Sequence, residues 1–176
     1  EDIYESRKSD PGIDFIILGT AIPGSQDEWL EERIADLARR YPYHRFVYVR
    51  AYSDILARKI YAGADVLLIP SDYEPSGLTQ MIAMRYGTVP IVRQTGGLAD
   101  TVFEGIENAT GFVFRGKSRT FPTDQDEDFM HYNAGKLYLA LLRAWDMFGD
   151  QKKWGRLIEN GMRQDNRWSR SIRDYR

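Results

Sequence analysis

A length of 176 residues allows one compact domain with a core, and 43% hydrophobic with 28% charged residues excludes a disordered chain. A formal net charge of −2 speaks against nucleic acid as a partner, and no apolar run approaches the ~18 residues of a membrane span. Without cysteine, and with only two widely separated histidines, His44 and His131, the composition excludes disulfides, thiol catalysis and Cys- or His-based metal sites.

The acidic start, Glu1-Asp2-Ile3-Tyr4-Glu5, is neither a signal nor a transit peptide. Asp14-Phe15-Ile16-Ile17-Leu18-Gly19 reads as a buried parallel strand. From Gln26 to Tyr41, Trp29, Leu30, Ile34, Leu37, Ala38 and Tyr41 recur at helical spacing and predict an amphipathic helix. Phe46-Val47-Tyr48-Val49 is a second strand, and Ser53 or Asp54 caps a helix reaching about Ala62. Asp65 to Pro70 is a third strand, followed by a helix from about Gly77 to Tyr86. Val89-Pro90-Ile91-Val92 is a fourth, a short helix starts near Leu98, and Gly111 to Phe114 is a fifth strand. Arg115 to Asp128, polar and rich in acidic residues, reads as a long surface loop. Helices are then expected over Ala134 to Phe148, over Lys152 to Met162, and from near Trp168.

Strands alternating with helices predict an α/β fold with a doubly wound, Rossmann-like parallel sheet, whose ligands sit at the carboxyl ends of the strands. No repeat, low-complexity segment or interior linker divides residues 1–176, so they read as a single domain that includes the helices from about 134 onward. Only a short polar stretch precedes the first strand, where such a sheet normally carries a further strand and helix. The domain is therefore expected to be truncated at its front.

The segment Pro70-Ser71-Asp72-Tyr73-Glu74-Pro75-Ser76-Gly77-Leu78-Thr79-Gln80 follows a buried strand and opens a helix. A helix N-terminus presents unpaired N–H groups and partial positive charge, which suits an anion. Gly77 lets a phosphate approach the backbone, and Thr79 adds a hydroxyl. Glu74, just before this site, can accept hydrogen bonds from hydroxyls of a group attached to the phosphate, as a sugar would be. Plain helix capping by Ser, Thr or Asp and a Glu-Pro turn are the alternative reading of the same residues.

From Ala62 to Val102 the chain reads AGADVLLIPSDYEPSGLTQMIAMRYGTVPIVRQTGGLADTV, and Trp154, Gly161-Met162, Asp165 and Trp168 follow in the tail. This closely resembles the glycogen and starch synthases, most of all the longer plant classes through Met81-Ile82-Ala83-Met84-Arg85-Tyr86-Gly87. The resemblance is weakest at residues 1 to 12 and 115 to 132. It implies the C-terminal half of a GT-B retaining glucosyltransferase, needing no cofactor and no metal. Such an enzyme moves glucose from ADP-glucose or UDP-glucose to the non-reducing end of an α-1,4-glucan, which an absent N-terminal domain would hold. By the same resemblance Glu74 contacts the donor glucose and is the catalytic candidate. Ser76, Gly77, Leu78 and Thr79 cradle the diphosphate, Tyr52 stacks on the base for ~1–3 kcal/mol, and Gly96 and Gly97 lie beside the sugar. The location implied is cytoplasmic for a bacterial source and plastidial for a plant or algal one.

The chain departs from the family pattern at three points. Ser76 replaces the usual cysteine, keeping its size and hydrogen bonding. Ile82 stands where a sister family of GT-B transferases has a second glutamate, which favours the synthases. The family's diphosphate-neutralising arginine and lysine belong to a segment upstream of this chain, while Arg93 and Arg50 read as solvated or strand-end cations. Two further readings stay open: a non-catalytic nucleotide-sugar or glucan-binding module, and a sister transferase with another donor and acceptor.

Overall fold

The computed structural model describes residues 12–25, 27–41, 46–105, 107–117 and 127–167. The elements follow in the expected order: β1 (Phe15–Leu18), α1 (Glu28–Arg40), β2 (Phe46–Val49), α2 (Asp54–Gly63), β3 (Val66–Ile69), α3 (Thr79–Tyr86), β4 (Val89–Arg93), α4 (Gly96–Thr101), β5 (Phe112–Phe114), α5 (Glu127–Phe148) and α6 (Gln151–Arg163). Every strand pairing among the described residues is parallel, as the alternation of strands and helices requires. The chain divides into two compact units, Glu1–Ile60 and Tyr61–Arg176, with the boundary inside α2.

In the first unit β1 pairs with β2 from Phe15 opposite Phe46 to Leu18 opposite Val49. α1 has Glu28 and Glu31 in its first turn and Arg39 and Arg40 in its last, matching the helix dipole at both ends. Of its predicted apolar stripe, Ile34, Leu37 and Ala38 are half-buried, whereas Trp29 and Leu30 are exposed. Ser53 is the residue that caps α2: its Oγ accepts from the Leu56 N–H at 3.2 Å.

The second unit is built on a three-stranded sheet in the order β3-β4-β5. All five residues of the central strand β4 are buried, which explains why Val89 to Val92 read as an apolar run without alternation. The two-residue period of the strand sends Val89 and Ile91 to one face and Val92 to the other. On the first face they join Phe112, Phe114, Ala140, Ala144, Trp154 and Leu157 under α5 and α6. On the second face Val92 packs with Ile69, Leu98 and Val102. α3 closes on Gly87 in a left-handed conformation (φ 87°), with the Gly87 N–H bonded to the Met84 carbonyl and the Thr88 N–H to the Ala83 carbonyl.

α5 starts at Glu127, several residues before the expected Ala134. Met130 and Tyr132 in its early turns are exposed, so this part of the helix has no buried stripe for sequence periodicity to show. The Tyr132 ring instead receives Lys117 Nζ at 4.8 Å and Lys136 Nζ at 5.1 Å. Within the loop expected over Arg115 to Asp128, the last two residues are therefore helical, and 118–126 lie outside the described residues, as does the helix expected from Trp168.

Trp154 shows what the tail contributes to the core. It stacks on Phe112 at 6.3 Å between centroids and meets the edge of Phe148 at 5.1 Å. Trp154→Ala is expected to destabilise the second unit by about 3–5 kcal/mol, the usual cost of removing a buried large aromatic. A urea titration followed by circular dichroism measures it, and a loss under 1 kcal/mol would show that the site collapses without penalty.

Candidate functional site

β3 and β4 are neighbouring parallel strands, so the loops leaving their carboxyl ends emerge at the same edge of the sheet. The first loop carries Asp72 to Leu78 and the second carries Gln94 and Thr95 into α4. Backbone contacts lock them together. The Gly97 N–H donates to the Glu74 carbonyl at 3.0 Å, and the Thr95 hydroxyl reaches the Asp72 carbonyl at 3.4 Å.

The two glycines are what let these loops close. A Cβ on Gly96 would stand 2.0 Å from the Glu74 carbonyl oxygen, and one on Gly97 would stand 2.0 Å from the Ser76 carbonyl oxygen. Both distances fall far inside van der Waals contact, so no side chain fits at either position while the loops keep this arrangement. Gly96 and Gly97 are close-approach residues, and what approaches them in this structure is the backbone on either side of Pro75.

Glu74 is half-buried at the start of the turn into α3. Its carboxylate has no hydrogen bond or ion pair among the described residues. Ser76, Leu78 and Thr79 are exposed and Gly77 is buried. Gly77 needs its missing Cβ twice over: its φ is +66°, and a Cβ would lie 2.6 Å from Gln80 Oε1.

None of the polar residues before α3 caps it. The N-cap is Leu78, and no side chain bonds its first turn. The first helical backbone bond is Ile82 N–H to the Leu78 carbonyl, which leaves the N–H groups of Thr79, Gln80 and Met81 without helical partners. The plain-capping alternative fails here, and the uncapped start of α3 follows a loop whose carboxylate, Glu74, has no partner among the described residues.

Three features of the structure, two in this region and one in the first unit, were not legible in the sequence. Gln80 is fully buried, with Nε2 donating to the Gly77 carbonyl at 2.8 Å and to Thr101 Oγ1 at 2.9 Å. Its Oε1 is buried without a partner among the described residues, a cost of about 1–3 kcal/mol. Next, Arg93 ends β4 as expected, but it is buried rather than solvated: it pairs with Asp72 and donates to the Lys117 carbonyl. Its ion pair with Asp72 ties the end of β4 to the first loop.

The third feature lies in the first unit. Glu31, in the first turn of α1, is buried. The Tyr48 hydroxyl donates to it at 2.6 Å, with the Gly19 carbonyl 3.1 Å from the same hydroxyl, and Arg50 pairs with it at 2.8 Å. The Tyr48 hydrogen bond outweighs burial and, with Arg50, holds the Glu31 carboxyl below the usual carboxylate range. The cluster fixes the carboxyl end of β1 to α1 and β2. Tyr52, also in this unit, exposes 86% of its surface and donates its hydroxyl to Asp54 at 3.1 Å. That hydrogen bond pushes the Tyr52 phenol pKa up.

Parallel strands alternating with helices, with open loops at their carboxyl ends, are the Rossmann-like architecture of GT-B glycosyltransferases. The family model for glycosyl transferases group 1 matches residues 1–123, and the chain belongs to that family. It is 41% identical to the glycogen synthase of Hydrogenobaculum sp. over 99% of this chain and 34% of the relative. With the glycogen synthase of Thermosipho melanesiensis it shares 42% identity over 93% of this chain and 30% of the relative. Among solved structures, the catalytic domain of starch synthase IV from Arabidopsis thaliana, bound to ADP and acarbose, aligns at a TM-score of 0.71. That alignment has 33% identity and covers 92% of this chain and 31% of the other. Sucrose-phosphate synthase from Thermosynechococcus elongatus aligns at 0.56 with 29% identity, over 84% of this chain and 32% of that one. The chain thus spans about a third of the length of the curated relatives it matches. No helix among the described residues is long and apolar enough to cross a membrane.

Proposed function

We propose that this chain is the donor-binding part of a retaining glucosyltransferase that moves glucose from ADP-glucose or UDP-glucose to the non-reducing end of an α-1,4-glucan. One observation carries the reading: the half-buried carboxylate of Glu74, without a partner among the described residues, belongs to the loop that leads into the uncapped N-terminus of α3. An anion acceptor and a hydrogen-bond acceptor on consecutive stretches of the chain suit a diphosphate with a sugar attached. The relatives named glycogen synthase and the starch synthase structure bound to ADP and acarbose support the choice of donor and acceptor.

In this reading the free N–H groups at the start of α3 and the Thr79 hydroxyl receive the diphosphate and stabilise the charge that develops as it leaves. Glu74 faces the sugar as its anomeric carbon gains positive character. The glucan is held by a part of the protein beyond these residues, consistent with the one-third coverage of the relatives.

The protein at the full length of its gene product tests this with ADP-glucose or UDP-glucose and a maltooligosaccharide. Elongation by α-1,4-linked glucose, with the α-anomeric configuration kept, is expected, and no elongation with either donor overturns the proposal. The isolated 176-residue chain is expected to bind ADP or UDP without elongating the glucan. Robust elongation by this chain alone would show that it holds the acceptor itself.

A further inference from the structure

Gln80 costs the fold an unpartnered buried oxygen, which a methionine of similar volume would avoid. The Nε2 of the same amide faces three oxygens, the Gly77 carbonyl at 2.8 Å, Thr101 Oγ1 at 2.9 Å and the Ser76 carbonyl at 3.4 Å. The Thr101 hydroxyl donates its own proton to the Gly97 carbonyl at 2.6 Å, so towards Gln80 it acts only as an acceptor. The orientation of the amide is thereby fixed, with its nitrogen towards the loop. Thr101 is held in turn by Gln164, whose Nε2 donates to the Thr101 carbonyl at 3.0 Å.

The consequence follows from the planar trans peptide, in which the carbonyl and the next residue's N–H point in opposite directions. Drawing the Ser76 and Gly77 carbonyls inward to Gln80 turns the N–H groups of Gly77 and Leu78 outward. Gly77 is left-handed (φ +66°) and Leu78 right-handed (φ −99°, ψ −25°). Successive residues of opposite hand form a concave nest of N–H groups that fits an anionic oxygen.

We propose that Gln80 is a positioning residue of the donor site, holding the Ser76–Leu78 peptides so that their N–H groups face the diphosphate, with Thr101 anchoring the amide. The inference rests on the reading of the α3 N-terminus as the diphosphate site. It assigns Gln80 an effect on the diphosphate alone, leaving the nucleoside's contribution unchanged.

The test is calorimetric titration of the full-length protein with ADP and AMP, and with UDP and UMP in parallel. The wild type is expected to prefer the diphosphate. Gln80→Met should cut the diphosphate-to-monophosphate affinity ratio by about tenfold or more, as expected for hydrogen bonds to a charged group. Thr101→Val should lower the ratio several-fold, and Thr101→Ser, which keeps the hydroxyl, should restore it. Should Gln80→Met fail to fold by circular dichroism, the Thr101 pair decides. Folded variants with the wild-type ratio overturn this inference alone. A wild type that binds neither diphosphate overturns the donor-site reading and this inference with it.

Discussion

Glu74→Gln in the full-length enzyme is expected to lower kcat by on the order of 10²-fold or more, with the donor KM changed by no more than a few-fold. The substitution keeps shape and removes charge. A carboxylate gains most when the sugar acquires oxocarbenium character, an attraction largely absent in the ground state. The structure gives Glu74 the rigidity such an effect needs, because its carbonyl is held by the Gly97 N–H and its backbone packs against Gly96. With no partner for the carboxylate among the described residues, the charge is not already spent on an internal ion pair. Thr79→Val is the contrasting variant. On the proposed reading it deletes a diphosphate hydrogen bond that is made already in the ground state and only strengthens as the group leaves, so KM should rise while kcat falls less. Steady-state kinetics over a donor range, with circular dichroism to confirm folding, separates the two. A Glu74→Gln enzyme with near wild-type kcat and a raised KM would reduce Glu74 to a binding contact.

Gly97→Ala is expected to abolish measurable donor binding, a loss of 10²-fold or more, although it adds one methyl group. The conformation of Gly97 is not left-handed, so an alanine meets no backbone strain. The cost is steric: the new Cβ would lie 2.0 Å from the Ser76 carbonyl oxygen and 2.5 Å from its carbonyl carbon. Both are backbone atoms, which do not swing aside as a flexible side chain does. The two loops must part, breaking the Gly97 N–H to Glu74 bond, and the peptides that precede α3 lose their alignment. Overpacking of this kind typically costs about 1–3 kcal/mol of stability, so a moderately lowered melting temperature should accompany the loss of binding. Thermal denaturation and ADP titration of the variant check both. Wild-type ADP affinity in Gly97→Ala would mean that the loops tolerate separation and that their contact is not needed for the site.

The order and type of the elements were legible in the sequence because each rests on its own residues. The buried run Val89 to Val92, the Ser53 cap and the glycine that ends α3 all declare themselves locally. So did the segment from Glu74 to Thr79, through the chemistry of a helix start after a buried strand and through its resemblance to glycogen and starch synthases. Where no apolar stripe existed, as in the first turns of α5, the local signal was silent and the helix began earlier than expected.

What the tertiary structure alone decided are the contacts between residues far apart in the chain. Gln80, a polar residue in a first helical turn, has the local signature of a solvent-facing side chain. It is buried because β3 and β4 lie side by side and bring α4 over it, so that its amide meets Thr101 at a separation of 21 residues. Gly96 and Gly97 read as close-approach glycines, and the structure shows that the Glu74 and Ser76 carbonyls fill the space a Cβ would take. Arg93, read as a solvated or strand-end cation, is a buried partner of Asp72, and Glu31 is a buried partner of Tyr48 with Arg50. Periodicity reports which face of an element is apolar. It carries no information on which neighbour the sheet order sets against a given side chain, and that neighbour determines whether a polar group is solvated, paired or put to use.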